Sequence, residues 1–204
     1  MIAFDGPDHT GKTTQAQMLV NYLSTSGRSC KLVRFPGRTT QIGQLLGEYL
    51  KSTHDVPPRA VSMLFAANRH EFAPAIVDML NRGTHVVLDR SSFSGIAYAM
   101  SLGLEKDYCE TLEAGLPCPD AVFNLSTPPP SAMETRHDWG SERYDTTEAQ
   151  DRVRRAFRTL FASHSEVVVN VAWGTVDEVA ATVAAGVEWK LGELGDRDLS
   201  YFAE

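Results

Sequence analysis

Short apolar runs alternate with longer segments of helical periodicity along the whole chain. Ile2-Ala3-Phe4 opens as a strand. From residue 12 to about 26, Met18, Leu19, Tyr22 and Leu23 take the spacing of one helical face, and Gly27 supplies a C-terminal stop. Residues 30–35 form a second strand, ended by Pro36. Helical stretches are expected at 39–51 and 59–71, and Pro74 is expected to open a separate helix to Asn81, because proline suits a first helical turn. Residues 84–89 give the plainest strand, a β-branched run of the kind buried on both faces. Helical segments near 93–102 and 106–114 lead to a strand at 121–125. Pro128-Pro129-Pro130 then marks a junction, and the polar, charge-rich stretch 136–147 has no apolar period and reads as a short mobile lid. An amphipathic helix at 148–161, a last strand at 167–171 and a last helix at 176–194 complete the pattern, with the acidic tail from Gly195 expected to fray. Strands separated by helices imply right-handed crossovers and a parallel sheet with helices on both faces, an α/β fold. Neither a repeat nor a long linker divides the chain, so residues 1–204 are expected to form one domain.

Composition narrows the function classes. Apolar residues make up 43% and charged residues 22% of the 204, ordinary globular usage. No apolar run reaches the roughly 18 residues of a membrane span, and no basic stretch precedes an apolar leader, so a cytoplasmic protein without a membrane partner is expected. Lys and Arg total 19 against 26 Asp and Glu, a net charge of −7, which argues against general nucleic-acid binding. A small anion held by a local cluster of arginines is compatible with that balance. Cys30, Cys109 and Cys118 lack C-x-x-C spacing and read as cytosolic thiols. The histidines at 54, 70, 85, 137 and 164 show no metal-ligand spacing, and Trp139, Trp173 and Trp189 read as packing residues.

The strongest chemical signal follows the first strand. Gly6-Pro7-Asp8-His9-Thr10-Gly11-Lys12-Thr13 matches G-x-x-x-x-G-K-[ST], with strand before and helix after. Glycines let backbone N–H groups converge on phosphate oxygens, and the helix starting at Lys12 aims its positive end at them. Gly6, His9, Thr10, Gly11, Lys12, Thr13 and Thr14 are therefore candidates for binding ATP, with Lys12 reaching the β- and γ-phosphates and the Thr13 hydroxyl available to Mg²⁺. Asp8 is unusual, since a carboxylate in a polyphosphate cradle repels its ligand unless it turns toward a hydroxyl of a second substrate. Asp89-Arg90 closes the third strand at the sheet edge where parallel sheets bind ligands. There the aspartate can hold Mg²⁺ and the arginine can bridge a phosphoryl group in transfer. Arg38 follows the second strand. Phe65 and Arg69, four residues apart on one helical face, can stack on a base and bond its edge.

The chain resembles the thymidylate kinases, closer to the eukaryotic and poxviral branch than to the usual bacterial one. The resemblance is carried by residues 4–15, by Arg34-Phe35-Pro36-Gly37-Arg38-Thr39-Thr40, by Leu64-Phe65-Ala66-Ala67-Asn68-Arg69, and by Asp89 through Tyr98. Leu116-Pro117-Cys118-Pro119-Asp120 and Gly140-Ser141-Glu142-Arg143-Tyr144 also fit. It implies a P-loop NTPase fold with a five-stranded parallel sheet, a homodimer, and Mg²⁺-dependent transfer of the γ-phosphoryl of ATP to dTMP. Position by position, it implies that Asp8 meets the 3′-hydroxyl side of dTMP and that Arg38 and Arg90 clamp its phosphate, with Arg90 catalytic. Phe65 would stack on the thymine, Arg69 would donate to its edge, and Gly95 and Tyr98 would lie beside the nucleotide, the ring against the ribose. Arg136 would be a catalytic and ATP-binding lid residue and Tyr144 a lid residue near the sugar. Phe35-Pro36 matches a cis peptide.

Three residues depart from the family pattern. His9 stands where this branch has an arginine, Ser91 replaces a tyrosine and Gly37 a glutamate. The first leaves Arg136 as the source of transition-state charge. The other two are expected to loosen the acceptor pocket. A kinase for another acceptor, such as dUMP, dGMP or thymidine, is the alternative. A GTP-dependent switch is disfavoured, because no D-x-x-G follows the P-loop and no asparagine precedes a lysine.

Overall fold

The computed structural model describes residues 1–127, 142–194 and 198–203. In chain order the elements are β1 (Ile2–Asp5), α1 (Lys12–Thr25), β2 (Cys30–Arg34), α2 (Gln41–Leu50), α3 (Pro58–Asn81), β3 (His85–Asp89), α4 (Ser92–Ser101) and α5 (Lys106–Thr111). They continue with β4 (Ala121–Leu125), α6 (Thr147–Ala162), β5 (Val168–Val171) and α7 (Val176–Leu194). The five strands form one sheet in the order β2-β3-β1-β4-β5, and every pairing is parallel.

Side-chain alternation along the strands sorts the core into two layers. Ala3, Val86, Leu88 and Val122 face α4 and α6, meeting Phe93, Ile96, Phe157 and Leu160. Ile2, Phe4, Val87 and Phe123 face α1 and α7, meeting Leu19, Leu23, Val183 and Val187. Phe4 and Phe123, paired across the sheet and both fully buried, stack with ring centroids 5.6 Å apart. Burial of each such side chain stabilises the fold by roughly 1.5–3 kcal/mol. With the sheet fixed from both sides, the carboxyl ends of all five strands open on one edge.

Several expectations change. The two helices expected around Pro74 are one, since α3 runs through the proline to Asn81. Pro74 and His70, whose carbonyl loses its i+4 donor there, are both exposed, so water can satisfy the freed group. The helix expected to reach residue 114 ends at Thr111 and continues as turns. The tail does not fray at 198–203. Cys118 N–H donates to the Ser200 carbonyl, Gly115 N–H to that of Phe202, and Phe202 N–H to that of Leu116. The Phe202 ring meets Phe93 at 5.4 Å. Trp173 and Trp189, expected to pack, are 51% and 61% exposed. Trp139 lies outside the described residues, as does 136–141 of the expected lid. Among the described residues, no helix is long and apolar enough to cross a membrane.

Candidate active site

The turn from β1 into α1 is built for backbone approach. Gly6 and Gly11 have φ of 131° and 95°, a region side chains disfavour. A Cβ on Gly6 would also lie 3.3 Å from the Leu125 carbonyl of β4. The first N–H groups of α1 have no partners within the helix and face the loop's concavity. Lys12 folds back into the loop, its Nζ donating to the Pro7 carbonyl and to Thr10 Oγ1. Burial pushes its ammonium down to about 7, helped by repulsion from Arg90 and opposed by Asp8, Asp89 and Asp5. A bound polyphosphate would add negative charge beside this ammonium and favour its charged form. His9 Nε2 lies 2.8 Å from Asp145 Oδ1, which ties the loop to the segment leading into α6.

Asp8 is a hub of hydrogen bonds. Arg90 donates to its Oδ1, while the Tyr98 hydroxyl and Gln150 Nε2 both donate to Oδ2 at 2.7 Å. Its own N–H donates to Gln150 Oε1 at 2.9 Å. Burial alone would raise the Asp8 pKa, but the charges of Arg90 and Lys12 and these hydrogen bonds hold it well below the usual carboxylate range. Burial, and then the Asp8 charge, push the Tyr98 phenol well above its ordinary value, so it remains a donor. The Tyr98 ring meets Tyr144 edge-on at 5.1 Å, and the Tyr144 hydroxyl lies 3.1 Å from that of Tyr49.

The segment after β3 is pinned from beneath. Fully buried Asp5 accepts from Ser91 N–H at 3.0 Å, from Ser91 Oγ at 2.6 Å and from Ser94 N–H at 3.1 Å. Ser91 Oγ also caps α4 by accepting from Phe93 N–H. Arg90 therefore leaves the strand with a φ of 72° in a fixed direction. The serine's small side chain serves this anchor. Gly37 does not loosen the pocket either, because a Cβ there would lie 2.4 Å from the Phe72 ring, which fills the space.

These groups wall a cavity of about 800 Å³ at the strands' carboxyl ends. It gathers Asp8, Lys12, Thr13, Phe35, Arg38, Phe65, Arg69, Asp89, Arg90, Gly95, Tyr98 and Tyr144. Phe35-Pro36 is a cis peptide. Arg38 is half-exposed and bonds Glu142 at 3.0 Å. A second hollow of about 430 Å³ shares His9, Gly11 and Thr14 with the first and adds Thr10, Ser126, Trp173 and Val176. Gly6 lies behind the loop rather than on either wall, and Arg136 lies outside the described residues. Sequence reading missed Asp5, Gln150, Asp145 and Glu113, buried polar groups that each have a partner distant along the chain. It also passed over Trp173, although its place just past β5, at the ligand-binding edge, was a usable signal.

Thr13 Oγ1 donates to Asp89 Oδ2 at 2.7 Å, and Arg34 Nε lies 2.8 Å from the same oxygen. A hydroxyl and a carboxylate side by side at the phosphate loop are hard oxygen donors. Their donor chemistry fits Mg²⁺.

One phosphate loop between two hollows, one of them with its own arginines and aromatic wall, is the arrangement of a P-loop phosphotransferase. The sequence pattern of thymidylate kinase matches residues 4–183. A thymidylate kinase of Dictyostelium discoideum is 37% identical over 185 residues, covering 90% of this chain and 82% of that protein. The Homo sapiens thymidylate kinase is 39% identical over 161 residues, covering 78% of this chain and 76% of its own. The solved thymidylate kinase of Candida albicans superposes with a TM-score of 0.85 at 31% identity, over 99% of this chain and 97% of that one. The chain belongs to the thymidylate kinase family.

Proposed function

We propose that this enzyme transfers the γ-phosphoryl group of ATP to dTMP, giving dTDP and ADP. The observation that carries the reading is the P-loop standing between two hollows, with Arg90 and Lys12 on the wall of the larger one. The adenine side of ATP would occupy the hollow beside Trp173, with its phosphates on the loop and Lys12. dTMP would occupy the larger cavity, its base against Phe65 and Arg69, its sugar near Asp8, Tyr98 and Tyr144, and its phosphate between Arg38 and Arg90. A phosphate oxygen of dTMP then attacks the γ-phosphorus as the bond to the bridging oxygen of ADP breaks. Little covalent work falls to the protein; positioning and charge do most of it. Arg90 meets the charge on the group in transfer, and its planar fork can bridge two phosphates as lysine cannot. Thr13 and Asp89 would hold Mg²⁺, which would supply positive charge against the phosphates of ATP. Arg136 is proposed as the further cation over the γ-phosphate, and a cytoplasmic homodimer as the working form.

The Candida albicans relative is described as having broad substrate specificity. That keeps dUMP, dGMP and thymidine in view as acceptors. A coupled assay of ADP release with each, beside dTMP, separates them. dTMP is expected to give the highest kcat/KM, with turnover of about 1–100 per second. ADP release with dTMP no faster than the background ATPase would end the reading.

A further inference from the structure

Arg69 and Glu113 form a buried pair that the roles above leave unexplained. Arg69 Nε donates to Glu113 Oε2 at 2.7 Å, and Nη2 donates to Oε1. The two residues are 5% and 1% exposed. Glu113 sits in the turns after α5, outside the cavity wall, whereas Arg69 lies on that wall beside Phe65 and Gly95. The bidentate contact occupies Nε and one Nη2 hydrogen, so Nη1 and the other Nη2 hydrogen of this wall residue take no part in it. Gly95 completes the slot. A Cβ there would lie 2.2 Å from Nη2 and 2.9 Å from Nη1.

We propose that Glu113 is a positioning residue for acceptor choice. It fixes the plane of the Arg69 guanidinium so that the free N–H edge points at a keto oxygen of the base and refuses an amino group. The proposal rests on reading this cavity as the acceptor site. A single hydrogen bond would let the guanidinium rotate, but two parallel ones to a carboxylate fix its plane. Low exposure removes the water that would otherwise compete for both groups. An amino group at the base edge sets N–H against N–H and leaves buried donors unpaired, and unpaired buried donors are what make polar sites selective.

The test uses the full chain, ATP, dTMP and 5-methyl-dCMP, an acceptor that exchanges the 4-keto oxygen of dTMP for an amino group. Glu113→Gln is expected to raise the KM for dTMP roughly 10-fold or more, the effect of weakening one charged hydrogen bond. It should leave kcat and the KM for ATP within about threefold and narrow the preference for dTMP over 5-methyl-dCMP. Glu113→Asp, which keeps the charge, should recover part of the preference, and it carries the test if the glutamine variant does not fold. In the apolar replacement Arg69→Met with Glu113→Leu, a folded protein should show the same loss of preference, because its steering group is gone. If Glu113→Gln melts lower but keeps the wild-type KM and preference, the pair is merely structural and the proposal is overturned. A wild-type enzyme that turns over no dTMP would overturn the reading of the cavity instead.

Discussion

Arg90 is the residue on which the rate should depend most, since it lies on the wall of the larger cavity and its guanidinium bonds Asp8 of the phosphate loop. Arg90→Ala is expected to lower kcat about 10³-fold, the scale of an arginine in phosphoryl transfer, with dTMP turnover as the readout. Lys12 makes a different prediction. Its pKa falls from the ordinary 10.5 to about 7 in the folded, ligand-free protein. Between those values the unfolded chain holds more protons, so the stability contribution of Lys12 is full above 10.5, declines as pH falls and is lost below about 7. Lys12→Met should therefore abolish activity yet raise the ligand-free Tm at pH 7 by roughly 5 °C or more. The gain should shrink as the pH approaches 10, and thermal melts at pH 7 and 10 check both signs. The cradle from Gly6 to Thr14 was legible in the sequence because its chemistry is contiguous and its glycines are forced by backbone geometry. Gln150, Asp145 and Glu113 were not. Each has a partner far away in sequence (Asp8, His9 and Arg69 respectively), and nothing local to a buried polar side chain announces that partner.

At the scale of elements, the strands and most helices could be read from periodicity, since both faces of the sheet are covered and β3 carries the buried run Val86-Val87-Leu88. Pro74 misled because local preference set a boundary that packing overrides. Ile76, only two residues further on, is buried against the core, and Met79 and Leu80 pack beside it, so the helix continues on the strength of its apolar face. The proline still costs helix stability. Pro74→Ala should stabilise the protein by about 1 kcal/mol or more, since proline in a helix interior is disfavoured by up to ~3 kcal/mol against alanine. A Tm increase of about 2–4 °C would register it, with activity unchanged. An unaltered or lower Tm would mean that the ring packs against something the backbone argument ignores.

For the whole molecule, the acidic tail looked like a solvated end, because its composition hides the pairing that organises it. Residues 198–203 bond to 115–118 and set Phe202 against Phe93, behind the segment that carries Arg90 and Gly95. Deleting residues 198–204 should therefore lower the Tm by several degrees, since a partly buried phenylalanine contributes about 1.5 kcal/mol or more. It should also raise the KM for dTMP more than that for ATP. Equal effects on both constants would show that the tail supports the fold at large. The account as a whole holds that two hollows share one phosphate loop so that a phosphoryl group can pass between two nucleotides without reaching water. Incubating the enzyme with Mg²⁺, dTMP and ATP labelled in the γ-phosphate tests this most directly, by following where the label goes. The account predicts that label appears in the β-phosphate of dTDP in step with ADP. Label collecting in inorganic phosphate, with no labelled dTDP formed, would contradict it.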